Sequence, residues 1–307
     1  MLGDDFLNKF MKMMACSLMV TTCLATTGFA SEKTSKEDLD TPTKTNYYYK
    51  GKEISLQKAV KIAENYDVVF FDEYHDQSSI HQAESNFFKQ MYRQNQDMIL
   101  SLEMFERDVQ DVMDGYLNGE ISEEDFKAKS RPWPNYEEDY RPLIEFSKAH
   151  NIYVLAGNIP RRMAAQYAKK GDFSLITDID RAYLPQKHLV EYGAYYNEFK
   201  SYMSTGDESQ HMMMSPERIE LFYKAQCLKD DTMAESINNY INAHKNIKVL
   251  HMQGAFHGNK HLGVVEKLHK LNPNLKILVI TPVEAKNYES VKDNFGKNDM
   301  VLTFTRK

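Results

Sequence analysis

The stretch Asp67–Asp76, DVVFFDEYHD, decides the fold. Four consecutive apolar residues, Val68 to Phe71, suit a strand buried on both faces, and such strands belong to parallel sheets covered by helices. The run opens directly into Asp72, Glu73, His75 and Asp76. Charged and imidazole groups at a buried strand end are costly without partners, so they point to a shared polar pocket. The pattern recurs. Met98–Glu103 (MILSLE) ends on an acid, and Lys248–His257 (KVLHMQGAFH) ends on glycine and histidine. In an open α/β sheet, ligands sit outside the carboxyl ends of the strands.

Working outward, Ile152–Ala156 and Lys276–Ile280 read as further short apolar strands, with Met300–Phe304 as an edge strand. Between them lie helical patterns at Ile80–Arg93, Val109–Leu117, Leu143–His150, Arg161–Lys169 and Leu262–Leu271. This alternation predicts an α/β fold, a mainly parallel sheet flanked by helices, with a large helical insertion. The chain of 307 residues divides into an export segment (1–30), a polar tether (31–45) and one α/β domain (46–307). Insertions are expected at 108–150 and 171–245. The first carries Arg131-Pro132-Trp133-Pro134-Asn135-Tyr136, where two prolines flank the single Trp and dictate a rigid loop. The second, expected to be all helical, is a tyrosine- and methionine-rich arm over the strand ends or between two copies of the chain.

The formal charge of −6 supplies no basic field, which disfavours nucleic acid as a partner. After residue 30 no apolar run approaches a membrane span. At the N-terminus, Lys9 and Lys12 precede the apolar Met13–Leu24, a signal-peptide pattern. Cleavage is expected after Gly28-Phe29-Ala30. Alternatively, Val20-Thr21-Thr22-Cys23 resembles a degenerate lipobox, with Cys23 acylated and the exported protein anchored to the cell membrane, at the outer membrane or on the periplasmic side. Cys227 is then the lone body thiol, so neither a disulfide nor a CxxC metal pair is available there. No GxSxG elbow, P-loop or GxGxxG occurs, which argues against serine-hydrolase and nucleotide chemistry.

Several groups can carry chemistry. Glu73 and His75, two apart on a loop, can converge on a metal or a proton, and Glu103 and His257 from other strand ends can complete a two-Glu, two-His site. His81 and Glu84, one turn apart on the next helix, face either the same pocket or solvent, with solvent the expectation. Asn158-Ile159-Pro160-Arg161-Arg162 combines a helix start with Arg161 as an anion site; the alternative is a simple cap with solvated arginines. In the second insertion Tyr195, Tyr196 and Tyr202 are candidates for a phenolate ligand to haem iron, against the alternative of plain core packing. Asp230 and Asp231 face either the strand ends or water.

Taken in order, DEYHD, LSLEMFERDVQ, RPWPNYEEDYRPLIEF, AGNIPRRMA, AQCLKDDTMAESI and MQGAFHGNKHLG resemble the ChaN-like haem-binding uptake lipoproteins from about Tyr66 to Pro282. That family is similar in fold to a wider superfamily with Tiki-type metalloproteases and erythromycin-esterase-like hydrolases. The resemblance implies an exported, lipid-anchored haem-binding protein of bacterial iron acquisition, a homodimer, with an outer-membrane haem receptor as a possible partner. It places Glu73, His75, Glu103 and His257 in the superfamily's polar pocket. Asp72 stands where the family has glycine. The competing expectations are a metal-dependent hydrolase using Glu73, His75, Glu103 and His257, and an interaction protein with a vestigial pocket.

Overall fold

In a computed structural model describing residues 45–204 and 214–306, the chain forms one eight-stranded mixed sheet. The strands are β1 (Asn46–Tyr49), β2 (Lys52–Ile54), β3 (Val68–Glu73), β4 (Met98–Glu106), β5 (Val154–Asn158), β6 (Lys248–Gly254), β7 (Ile277–Glu284) and β8 (Asp299–Phe304). Their order is β2-β1-β8-β7-β3-β6-β4-β5. The run from β8 to β5 is parallel, while β1 and β2 close one edge antiparallel. The α/β fold is therefore as expected, with β1 and β2 as additions that the sequence pattern did not reveal.

The helices are α1 (Leu56–Ala63), α2 (Ser78–Gln94), α3 (Gln110–Leu117), α4 (Glu123–Ser130), α5 (Arg141–Ala149), α6 (Arg161–Lys170), α7 (Ala194–Ser204), α8 (Pro216–Ala243), α9 (Val264–Leu271) and α10 (Tyr288–Val291). Period-two alternation along β3 sorts its apolar residues between two cores. Val69 and Phe71 pack with Phe87 and Phe88 of α2 and Leu143 and Ile144 of α5. Val68 and Phe70 pack with Met233 and Ile237 of α8 and Val264 and Leu268 of α9. Each phenylalanine so buried contributes roughly 1.5–3 kcal/mol.

The connection from β3 to β4 crosses β6 through α2, and that from β6 to β7 crosses β3 through α9. Because these crossovers lie on opposite faces, the ends of β3 and β6 open at a topological switch point. Glu73 and Gly254 are paired in register there.

Two expectations about the second insertion are corrected. Residues 171–193 hold a single 3₁₀ turn, Asp180–Tyr183, rather than continuous helix, because Pro185 and the turn glycines Gly171 and Gly193 interrupt any 3.6-residue repeat. Helix α8 is not simply a lid: its second half is a core helix against the sheet. Its start is well specified, with Pro216 at the first position and Ser215 accepting from the Arg218 amide. Only α7 and the first half of α8 form the tyrosine-rich arm. The 1–30 export segment with Cys23, the tether to residue 44, and Met212 and Met213 lie outside the described residues.

Candidate functional site

Glu73 ends β3 with its side chain turned into the protein, 1% exposed. One carboxylate oxygen accepts from Tyr140 Oη at 2.6 Å and from His75 Nδ1. Tyr140 arrives from a π-helical turn, Tyr136–Tyr140, that follows the double-proline loop. The same loop sets Trp133 edge-on against the His75 ring at 4.7 Å, and Asn135 donates to the His75 carbonyl at 3.1 Å and to Asp139 at 2.8 Å. The RPWPNY segment thus positions the polar groups at the end of β3.

His81 and Glu84 are buried at 3% and 0% exposure, which corrects the expectation that they face solvent. Nδ1 of His81 lies 2.9 Å from Glu84 Oε2 and 3.7 Å from Glu73 Oε2, and Nε2 lies 3.2 Å from the His75 carbonyl oxygen. Burial alone would lower the His81 pKa, but the fields of Glu73 and Glu84 outweigh it and push it up to about 10. Burial would raise Glu73; His81 and His75 overcome that and hold it near 2. Glu84, desolvated and beside Glu73, is pushed well up.

A second cluster sits at the end of β6. His257 is sandwiched between Glu103 Oε1, 3.1 Å from Nε2, and Asp230 of α8, which contacts Nδ1. Against the cost of burial, these two carboxylates push His257 up to about 10. Glu103 stays well below the usual carboxylate range despite burial, because of His257; its other oxygen accepts from the Gly254 amide at 2.7 Å. Gln226 reaches both His257 and the Tyr195 hydroxyl at 3.1–3.2 Å. Asp230 therefore does face the strand ends, whereas Asp231 joins Lys267 at 2.6 Å and His188 at 2.7 Å in a separate buried tie.

Gly254 joins the two clusters. A Cβ there would sit 2.8 Å from His75 Nε2 and 3.5 Å from Glu103 Oε2, so only glycine lets the two groups approach. The four residues expected to converge do so as two pairs, Glu73–His75 and Glu103–His257, meeting across this glycine. Asp72, at the position where glycine was expected, is accommodated by another glycine. A Cβ at Gly258 would fall 2.4 Å from Asp72 Oδ1, and Gln253 donates to that carboxyl, which burial pushes well up.

The anion-site reading of the 158–162 segment is corrected. Arg161 Nε bonds Glu106 at 2.5 Å, and Arg162 is paired with Asp108 and, at 2.6 Å, with Asp180. Asn158 accepts from the Ile159 amide at 2.8 Å and donates to the Glu103 carbonyl at 3.0 Å, so it holds β4 and β5 together. Both guanidinium groups are thus paired with carboxylates of this chain.

The three candidate tyrosines differ sharply. Tyr195 is buried, its ring on Phe256, and burial together with Asp230 pushes its hydroxyl well above the ordinary value. Tyr202 packs on Phe256 and is raised by burial as well. Tyr196 is half-buried against Tyr223 and sits edge-on to Tyr192, which is 57% exposed. The cavity beneath α7, between Tyr195, Tyr223, Cys227 and Lys267, measures about 90 Å³. That is well short of the ~300 Å³ at which small-molecule pockets begin.

A family model described as haem-binding uptake, Tiki superfamily, ChaN matches residues 59–268. Among solved structures, one described as cofacial haem binding to ChaN of Campylobacter jejuni is similar at 17% identity and TM-score 0.64, covering 85% of this chain and 97% of that one. The type III effector HopBA1 matches at 12% identity and TM-score 0.47, over 82% and 94%. No curated protein matches in sequence.

Proposed function

Since the chain belongs to the ChaN family of haem-binding uptake proteins within the Tiki superfamily, we propose that it binds haem on the outer face of the tyrosine arm, as an exported protein that dimerises around the ligand. The family match across 59–268 carries this reading. The 90 Å³ cavity is too small for a porphyrin, which favours a surface site closed by a second copy over an internal one. Tyr196 is the favoured iron ligand of the three candidates. A phenolate at Tyr195 would face Asp230 in a desolvated setting, whereas Tyr196 stands partly in water beside Tyr192. Export and a lipid anchor at Cys23 complete the proposal on sequence grounds; Cys23→Ala should abolish labelled-palmitate incorporation.

The test is spectroscopic. Tyr196→Phe should lower haem affinity at least tenfold and shift the ferric spectrum, while Tyr195→Phe leaves both nearly unchanged. A groove of about 550 Å³ along β5, lined by Arg107, Tyr153 and Tyr240 among others, supplies the control. Tyr153→Phe should bind haem normally. Loss of binding there, with Tyr196→Phe unaffected, would move the site to the groove and overturn the assignment.

A further inference from the structure

We propose that Glu73, His81 and Glu84 form a buried site for one divalent first-row transition ion, distinct from the haem surface. One ligand atom from each residue lies within 4.8 Å of the other two. His81 and Glu84, three residues apart on α2, share a helix face, and Glu73 enters from the end of β3.

The hydrogen bonding fixes what the cluster lacks. His81 Nε2 faces the His75 carbonyl oxygen at 3.2 Å and Asp139 Oδ2 at 3.6 Å, both acceptors, which suits a ring proton on Nε2. In a neutral imidazole Nδ1 is then a lone pair. It points at Glu84 Oε2 and Glu73 Oε2, so three groups that can each give an electron pair converge around a space that either a shared proton or a metal ion can fill. The second oxygen of Glu84 and Oε2 of Glu73 have no hydrogen-bond partner despite full burial. A buried acceptor left in this way costs on the order of 1–3 kcal/mol, more when charged. Among the described residues no Lys or Arg pairs with Glu73 or Glu84; their ionic partners are histidines. The cluster must therefore hold either protons, on Glu84 and His81, or a metal ion.

The spacing fits a metal. Ligands bound at about 2.1 Å in a tetrahedral site lie about 3.4 Å apart. The separations from His81 Nδ1 are 2.9 and 3.7 Å, which bracket that value. The outer shell is already built: Tyr140 and His75 hold Glu73 through its other oxygen, and the His75 carbonyl orients His81. One imidazole with two carboxylates suits zinc, manganese or ferrous iron better than magnesium, which prefers oxygen and water. This inference does not rest on the haem reading, since none of its ligands belongs to the tyrosine arm.

The experiment uses the haem-free full chain, chelator-treated and then titrated with Zn²⁺ or Mn²⁺, with bound metal counted after gel filtration. One ion per chain is expected. His81→Gln and Glu84→Gln should each weaken binding at least tenfold, while His257→Gln stays within threefold of wild type. Zinc-edge X-ray absorption of the wild-type complex provides a readout independent of any variant's folding. It should report one imidazole with oxygen ligands. Absence of stoichiometric uptake would overturn the proposal in favour of a proton-bound cluster. Two imidazoles in the spectrum, or binding lost in His257→Gln and kept in His81→Gln, would overturn it in favour of an ion between the Glu73–His75 and Glu103–His257 pairs.

Discussion

Replacing Gly254 by alanine isolates the contact that joins the two halves of the polar site. The backbone there, φ −59° and ψ 138°, is open to any residue, so the substitution carries no conformational strain. The added methyl would lie 2.8 Å from His75 Nε2 and 3.0 Å from Cε1. Ordinary contacts begin near 3.5 Å, so the ring must withdraw by roughly 0.7 Å. It is not free to do so, because Nδ1 is bonded to Glu73 and the ring abuts Trp133. Weakening a charge-assisted hydrogen bond costs about 1.5–3 kcal/mol. Loss of glycine's freedom in the unfolded chain offsets about 0.4–1 kcal/mol. The net expectation is about 1–2 kcal/mol, or roughly 2–8 °C in Tm for a domain of this size. The assay is thermal unfolding of Gly254→Ala in the wild-type and His75→Ala backgrounds. With the imidazole gone, the methyl has nothing to displace and should be neutral or slightly stabilising. An equal loss in both backgrounds would refute the claim that His75 is what the glycine accommodates.

Other perturbations follow the same logic. Gln110 closes the open edge of β5 with its side-chain amide, donating to the Val154 carbonyl at 2.9 Å and accepting from the Ala156 amide at 2.8 Å. Gln110→Ala should cost about 1–3 kcal/mol in urea unfolding and raise aggregation, since an unpaired edge strand recruits other chains. Lys267→Met leaves Asp231 buried with His188 as its remaining side-chain partner and should destabilise by about 3–5 kcal/mol; a loss under 1 kcal/mol would show the tie to be dispensable. In chelated protein, His257 and His81 both titrate near 10 when folded but near 6.5 when unfolded, so the folded state holds more protons between those values. Their contribution is complete below about pH 6.5 and declines as pH rises toward 10. Tm should fall across that window, less steeply in His257→Gln.

The six strands β3 to β8 were legible because a run such as Val68–Phe71 has few other destinations, and the polar ends of β3, β4 and β6 marked the pocket's rim. Glu73, His75, Glu103 and His257 were found that way. His81 and Glu84 were misjudged because α2 carries Ser79, His81, Glu84 and Ser85 among apolar neighbours, and a polar residue on a helix reads as solvent-facing. The ring that covers His81 edge-on is Tyr140, delivered by a loop some fifty residues away, a contact no local pattern encodes. Asp230 was ambiguous beside Asp231 for the same reason: adjacent acids on α8 point to different partners. The arginines after Asn158 advertised an anion site, yet Glu106, Asp108 and Asp180 come from elsewhere in the chain to meet them. In 171–193, expected to be helical, Pro185 and the flanking glycines were the better guide.

The central claim is that this chain holds haem through a defined site on its tyrosine arm. Titration of ferric haem into the purified protein, followed by its Soret absorption, addresses it directly. A shifted band that saturates at a fixed whole-number ratio of haem to chain is expected. A band that rises without saturation, or that is indistinguishable from free haem, would contradict it.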